Sequence, residues 1–300
     1  MTKTVPVSVR TSPAQQSAAP VTPTTIRRPR AGLPVLLLVL LGICQLVLVA
    51  PLHAAENVFT STNAIKEEAV RFAGEGKLFL KGPVDPYLTG TVVTAGVFGL
   101  TYLFDEKIRD EFAGSHHGVM RGITDAGNAV SNPLLHLGVA AAFYGAGAVT
   151  DRTSIMQLGE EMGEALLLAD GATFVLKGVI GRGRPYQVDS STSYRPLQFK
   201  DGYDSLPSMH TASSFALAHV VADKTESFYG KAACYAAATL AGFSRVYQNK
   251  HWASDVVLGA AIGELAGAAV TRYRNASAGS VTVAPMSIEG APALALLGRF

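Results

Sequence analysis

Cysteine is nearly absent from this 300-residue chain: Cys44 lies in an apolar stretch and only Cys234 remains in the body. No internal disulfide can form there, and no cysteine cluster can hold a metal. Charge is scarce as well. At 16% charged and 48% hydrophobic, against roughly 25% charged in ordinary soluble domains, the chain as a whole is not disordered. A basic surface is also missing. The net charge of +2 comes from Lys3, Arg10, Arg27, Arg28 and Arg30, which have no acid among them, and the remainder carries −3. A nucleic-acid partner is therefore not expected. No repeat of about 20 to 50 residues and no heptad run is present, which excludes solenoids and long coiled coils. The mean hydropathy of +0.25 points to membrane contact and leaves its extent open.

What the chain does have begins with a Thr/Ser/Pro/Ala-rich leader over 1–30 that is too polar to pack. Arg27, Arg28 and Arg30 at its end precede a charge-free run over 31–55, nearly all aliphatic from Leu33 to Val49. This is the layout of an export signal, with the basic flank staying inside. His53 before Ala54-Ala55 fits a small-residue cleavage rule poorly, and the run is long enough to stay as a membrane anchor. Both fates stay open. A connecting segment is expected over 56–84, a helical domain over 85–274 and a tail over 275–300.

Apolar blocks at 88–104, 134–149, 162–180, 210–222, 231–247 and 253–272 exceed strand length and favour Ala, Leu and Gly over β-branched residues. They predict an all-α antiparallel bundle of about six helices. Glu160, Glu161, Glu164 and Asp170 in or beside the third block, and Glu264 in the last, are costly inside a bilayer. The sequence reading therefore favours shallow insertion at the outer membrane surface or a bundle free in the periplasm. If the helices did span, parity from an exported start would carry Arg184 into the cytoplasm.

Three short stretches carry chemistry. Lys177 and Arg184 are seven apart, nearly two helical turns, so they are expected on one helical face as an anion clamp, with Pro185 ending the helix. Pro207-Ser208-Met209-His210 opens a helix, where free N–H groups, a hydroxyl and an imidazole coincide. Arg245 is followed by His251 and Asp255, the last two four apart and so neighbours on a helical face, which lets the carboxylate hold Nδ1 and free Nε2 to attack. Each alone has a plainer reading: a helix end complementing its dipole, an N-cap, a surface pair. In an antiparallel bundle, however, all three meet at one end. His116 and His117 read as a solvated loop, and His136 and His219 as packing residues.

At these residues the sequence resembles the type 2 phosphatidic acid phosphatase and vanadium haloperoxidase superfamily, over about 85–272. The signature Lys-x6-Arg-Pro, Pro-Ser-Gly-His, Ser-Arg-x5-His-x3-Asp is complete and in order, except that Met209 stands where Gly is usual. The resemblance implies that Lys177, Arg184, Arg245, the Ser208 hydroxyl and the Met209 amide bind phosphate. It implies that His251 is the nucleophile, oriented by Asp255, and that His210 is the proton donor. No metal and no cofactor are implied. The expected activity is a phosphatase acting on a phosphorylated lipid or a small phosphomonoester at a membrane surface, with the site on the non-cytoplasmic side. A vanadate-dependent haloperoxidase and a non-catalytic phosphate- or lipid-binding module are the alternatives.

Overall fold

Capping residues fix where several helices start and stop. Ser61 accepts hydrogen bonds from the amides of Asn63 and Ala64 and opens α1 (Thr62–Lys81). Asn132, with Pro133 behind it in the first turn, opens α4 (Pro133–Thr150), and Ser227 opens α7 (Phe228–Tyr247). Between them lie α2 (Leu88–Ala113), α3 (Gly118–Val130), α5 (Thr153–Ile180), α6 (Met209–Asp223) and α8 (Ala253–Ala278). The computed structural model describes residues 61–113, 118–198, 200–278, 281–288 and 291–298. The leader, the signal or anchor stretch, His116 and His117 lie outside the described residues.

All six expected helices are present, and the body is an all-α bundle. Two further helices accompany them. α1 occupies most of the stretch read as a connecting segment, and α3 is a short helix with Val119, Met120 and Ile123 exposed. Two strands, Val281–Ile288 and Ala291–Gly298, pair antiparallel after α8, where the sequence offered only weak alternation.

The core lies among α4, α5, α6 and α8, and alanine dominates it: Ala140, Ala165, Ala169, Ala212, Ala216 and Ala266 are buried, with Met162, Leu166 and Val220 filling the gaps. Small residues bring helix backbones close, as in membrane bundles. Gly259 on α8 is one such contact. A Cβ there would fall 2.5 Å from the Ser208 carbonyl oxygen, so glycine lets the start of α6 rest against α8.

α2, α5 and α7 run toward one end of the bundle, and α4, α6 and α8 run away from it. α1 lies at the opposite end, where Glu75 faces Arg274 of α8 and Arg71 meets Glu160 and Glu164 of α5. Among the described residues, three helices, over Leu88–Phe112, Pro133–Thr150 and Ala253–Ala276, are long and apolar enough to cross a membrane. α2 exposes Val92, Val93, Val97, Leu100 and Leu103 almost from end to end. By length and composition these helices favour spanning over the shallow insertion expected from the sequence. Of the carboxylates that weighed against spanning, Glu160, Glu161 and Glu164 are gathered at the α1 end of α5, whose remaining four turns hold only Asp170 and Lys177 as charged side chains, while Glu264 stays within α8.

Candidate active site

Lys177 sits in the last turn of α5, and its ammonium donates to the backbone carbonyl of Asp204. Burial, with the neighbouring Arg184 guanidinium, lowers its pKa to about 8. The helix then stops at Ile180. Gly181 takes the left-handed conformation (φ 61°), where a Cβ would collide with the Arg195 carbonyl. Lys177 and Arg184 therefore do not share a helical face, contrary to the spacing argument. Arg184 approaches from the following loop, gripped by Asp204 through two hydrogen bonds of 2.6 Å. Burial would push the Asp204 carboxyl up, but the Arg184 fork holds it at about 2.

The other phosphate-binding candidates come from helix ends. Ser208 occupies the N-cap position of α6 without making a cap hydrogen bond; its hydroxyl accepts from Thr211 at 2.9 Å. Met209 and His210 form the first turn, whose N–H groups have no intrahelical partner by geometry. Arg245, in the last turn of α7, donates to Asn128 of α3, and its Nε has no hydrogen-bond partner. Burial, with Arg184 nearby, lowers its pKa to about 10.

Both imidazoles feel these cations. His251 is 2% exposed. Burial first, then Lys177, Arg184, Arg245 and His210, push its pKa well below the ordinary value. His210 is lowered to about 3 by burial and by Arg245, Lys177, Arg184 and His136. The eight residues drawn from sequence thus gather at one end of the bundle, but Asp255 is not placed as expected. His251 precedes α8 rather than lying on it, and its Nδ1 stands 3.6 Å from Asp255 Oδ2, beyond hydrogen-bond reach.

Asp255 is instead held by residues that the sequence reading passed over. Its carboxylate accepts from Arg182 Nη1 at 2.7 Å, from the Ser205 hydroxyl and from the Trp252 amide at 2.9 Å. Arg182 is 0% exposed and also donates to Asp105 of α2 at 2.7 Å, to the Ser191 carbonyl and to Ser254. Tyr102 and Trp252 flank its guanidinium, at 4.8 and 5.4 Å to the ring centroids. The available signal was an acid at the end of an apolar run, Asp105, and a second arginine inside Gly-Arg-Gly-Arg. Trp252 is buried and donates to the Gly183 carbonyl at 2.9 Å, so it touches no lipid. His136 pairs with Ser213 and the Val130 carbonyl, and His219 with Glu264 and Thr271, as packing residues do.

Among the described residues, the carboxylates spaced for a metal are Glu68, Glu160 and Glu164, at the α1 end, with the Arg71 guanidinium already against all three. Along α8 a groove of about 740 Å³ faces α2, starting at Leu258, one turn past Asp255, and lined by Tyr87, Phe98, Ile262 and Leu265.

The chain is similar in part to known proteins. A lipid A 1-phosphatase of Porphyromonas gingivalis is 29% identical over 232 residues, covering 74% of this chain and 47% of its own length, so the chain spans about half of that relative. A crystal structure of Aquifex aeolicus LpxE matches at 20% identity with TM-score 0.46, over 57% of this chain and 96% of that one. The transmembrane PAP2-type phosphatidylglycerolphosphate phosphatase of Bacillus subtilis matches at 18% and 0.48, over 65% and 97%. The PAP2 superfamily sequence model covers residues 161–278, a stretch that includes all three motifs and every side chain of the pocket except Asn128 and Asp105. Over that stretch, which is less than half of its length, the chain is similar to the PAP2 superfamily.

Proposed function

We propose that the protein is a metal-independent phosphatase that hydrolyses lipid-linked phosphate through a phosphohistidine. The observation that carries this reading is the meeting of Lys177, Arg184 and Arg245 with two neutral imidazoles at one end of the bundle. Phosphoryl transfer needs mainly positioning and charge stabilisation. Three cations supply the charge that a metal pair supplies elsewhere.

His251 Nδ1 faces Asp255, so Nε2 is the nitrogen directed at phosphorus. Its lone pair forms the P–N bond as the ester P–O bond breaks, and His210 gives its proton to the departing oxygen. His210 then takes a proton from water, whose oxygen displaces His251 and releases inorganic phosphate. Ser208 and the first N–H groups of α6 hold the phosphoryl oxygens, with Met209 contributing its amide in place of glycine. Lipid-linked substrates are supported by the exposed Val119, Met120, Ile123 and Leu103 near the site end, and by the apolar groove that begins at Leu258, one turn past Asp255.

Phosphate release from phosphatidic acid, phosphatidylglycerol phosphate, a polyprenyl diphosphate, lipid A and a soluble monoester, in excess chelator, tests the assignment. Turnover on a lipid substrate is expected, with acid-labile label trapped on wild type and absent from His251→Ala. Activity that disappears on chelation and returns with Mg²⁺ or Zn²⁺ overturns it.

The site is further assigned to the non-cytoplasmic side, a placement that the basic flank ahead of the 31–55 run supports where the bundle lies wholly outside. Because α1 and the site are at opposite ends, a spanning α2 then puts α1 on the cytoplasmic side, with no net crossing before it. A bundle lying wholly outside puts both ends there. Alkaline phosphatase fused after Gly202 is expected to be active, and a fusion after Lys81 separates the two arrangements. Silence at Gly202 overturns the placement.

A further inference from the structure

We propose that Asp105 and Arg182 are positioning residues for the nucleophile. Arg182 ties α2 to Asp255, and the Asp105–Arg182–Asp255 set presents a buried net negative charge to His251. This rests on the phosphohistidine reading above.

Orientation is the first argument. A single aspartate facing an imidazole across 3.6 Å cannot fix its own carboxylate plane. Here Oδ1 is fixed by Arg182, while Oδ2 receives Ser205 and the Trp252 amide and turns toward His251 Nδ1. The guanidinium is itself fixed, because Nε, Nη1 and Nη2 each donate to a different buried acceptor and two aromatic rings cover its faces. Only a planar fork can reach all of these at once, so lysine cannot substitute.

Charge is the second. When His251 accepts phosphorus at Nε2 while keeping a proton at Nδ1, its ring becomes cationic. An Arg182–Asp255 pair alone would be neutral and would do little for that cation. Asp105 restores one negative charge to the set, in a dry environment where such a charge acts strongly. Asp105 also accepts from the Ser254 amide and hydroxyl in the first turn of α8, which moors α2 to that helix start. α2 is apolar and exposed over most of its length, and its one fully buried carboxylate points at Arg182 and Ser254.

The test compares Asp105→Asn, Asp105→Glu, Arg182→Lys, Arg182→Gln and the Asp105→Asn/Arg182→Gln double variant. The full chain is used in detergent, with an aryl phosphate and with the best lipid from the panel. Asp105→Asn is expected to lower kcat by about 10- to 100-fold, the usual size for a residue acting through another. KM and inhibition by inorganic phosphate should stay within about twofold, since no phosphate-binding side chain is altered. Arg182→Lys should not rescue, Asp105→Glu should recover part of the loss, and the double variant should be no slower than Arg182→Gln alone.

Unchanged kcat in Asp105→Asn overturns the proposal. So do losses in KM and phosphate inhibition that track kcat, or losses that multiply in the double variant. Should Asp105→Asn fail to fold, the Asp105→Glu variant decides: one that melts like wild type yet turns over no better than Arg182→Gln overturns it. A wild type inactive on every phosphate refutes the functional reading instead, which keeps the two failures apart.

Discussion

Arginines wholly or largely withdrawn from solvent stand at both ends of this bundle, and their surroundings differ in one respect. At the α1 end, Arg71 and Arg274 are enclosed by Glu68, Glu75, Glu160 and Glu164 on α1 and α5, so each guanidinium is matched by carboxylates. At the other end, Lys177, Arg184 and Arg245 hydrogen-bond to a single carboxylate, Asp204, and otherwise to two backbone carbonyls and the Asn128 amide oxygen. Matched charge ties helices together. Unmatched charge, collected where helix N–H groups also point, repels itself until an anion arrives. Folding alone would not favour such a surplus, so it marks the end that acts on a ligand.

Removing one arginine from each end gives the sharpest break. Arg245→Ala is expected to lower kcat/KM by about 10²- to 10³-fold, the cost of losing one oxyanion donor. Its melting temperature should hold or rise, because repulsion with Arg184 is relieved. Arg274→Ala leaves Glu160 and Glu164 with the Arg71 guanidinium alone and should cost about 3–5 kcal/mol of stability. The folded fraction should keep near-normal turnover per molecule. Paired measurements of melting and kinetics check this, and similar profiles for the two variants would dissolve the contrast.

A smaller effect concerns His210. Burial and the three cations hold it near 3, yet a proton donor must carry its proton when substrate is bound. A phosphate dianion among Lys177, Arg184 and Arg245 cancels the field that keeps the imidazole neutral, so protonation and phosphate binding should be linked. NMR of labelled histidine is expected to show His210 titrating at clearly higher pH with inorganic phosphate bound than without it. In kcat, the alkaline limb should accordingly lie above that in kcat/KM, which reports the free enzyme. An unmoved His210 titration contradicts its role as the acid.

How far the sequence could be read follows from the range of the forces involved. The six long helices were legible because apolar blocks between Gly and Pro punctuation are a local signal, and the three motifs because they pointed to one end of an antiparallel bundle. α1 escaped notice because its residues mix Lys, Glu and Gly with isolated apolar side chains, and it is held by partners 89 to 93 residues away. The shared helical face of Lys177 and Arg184 failed on one residue. Spacing alone cannot show that Gly181 leaves the helix through φ 61°. The Asp105–Arg182–Asp255 set was invisible for a similar reason, since its outer members are 150 positions apart and nothing local distinguishes Asp105 from any acid at a helix end.

The smallest effect returns to the α1 end and to Glu75, which is buried with neither carboxylate oxygen hydrogen-bonded. Burial, then the charge of Glu164, raise its pKa from 4.5 to about 9, against the opposing pull of Arg274 and Arg71. Folding therefore takes up a proton at neutral pH. Below 4.5 the folded and unfolded chains are both protonated there, and the group is neutral in its effect. Between 4.5 and about 9 only the folded chain holds the proton, so stability falls as pH rises, by at most about 1.4 kcal/mol per pH unit. Glu75→Gln keeps the shape and removes the ionisation. It is expected to melt above wild type by a margin that widens from pH 5 to pH 9, with phosphatase turnover unchanged, because the α1 end holds charge for structure alone. A margin that stays constant with pH would show that Glu75 is ionised in the folded chain, and that the α1 end carries an unmatched charge of its own.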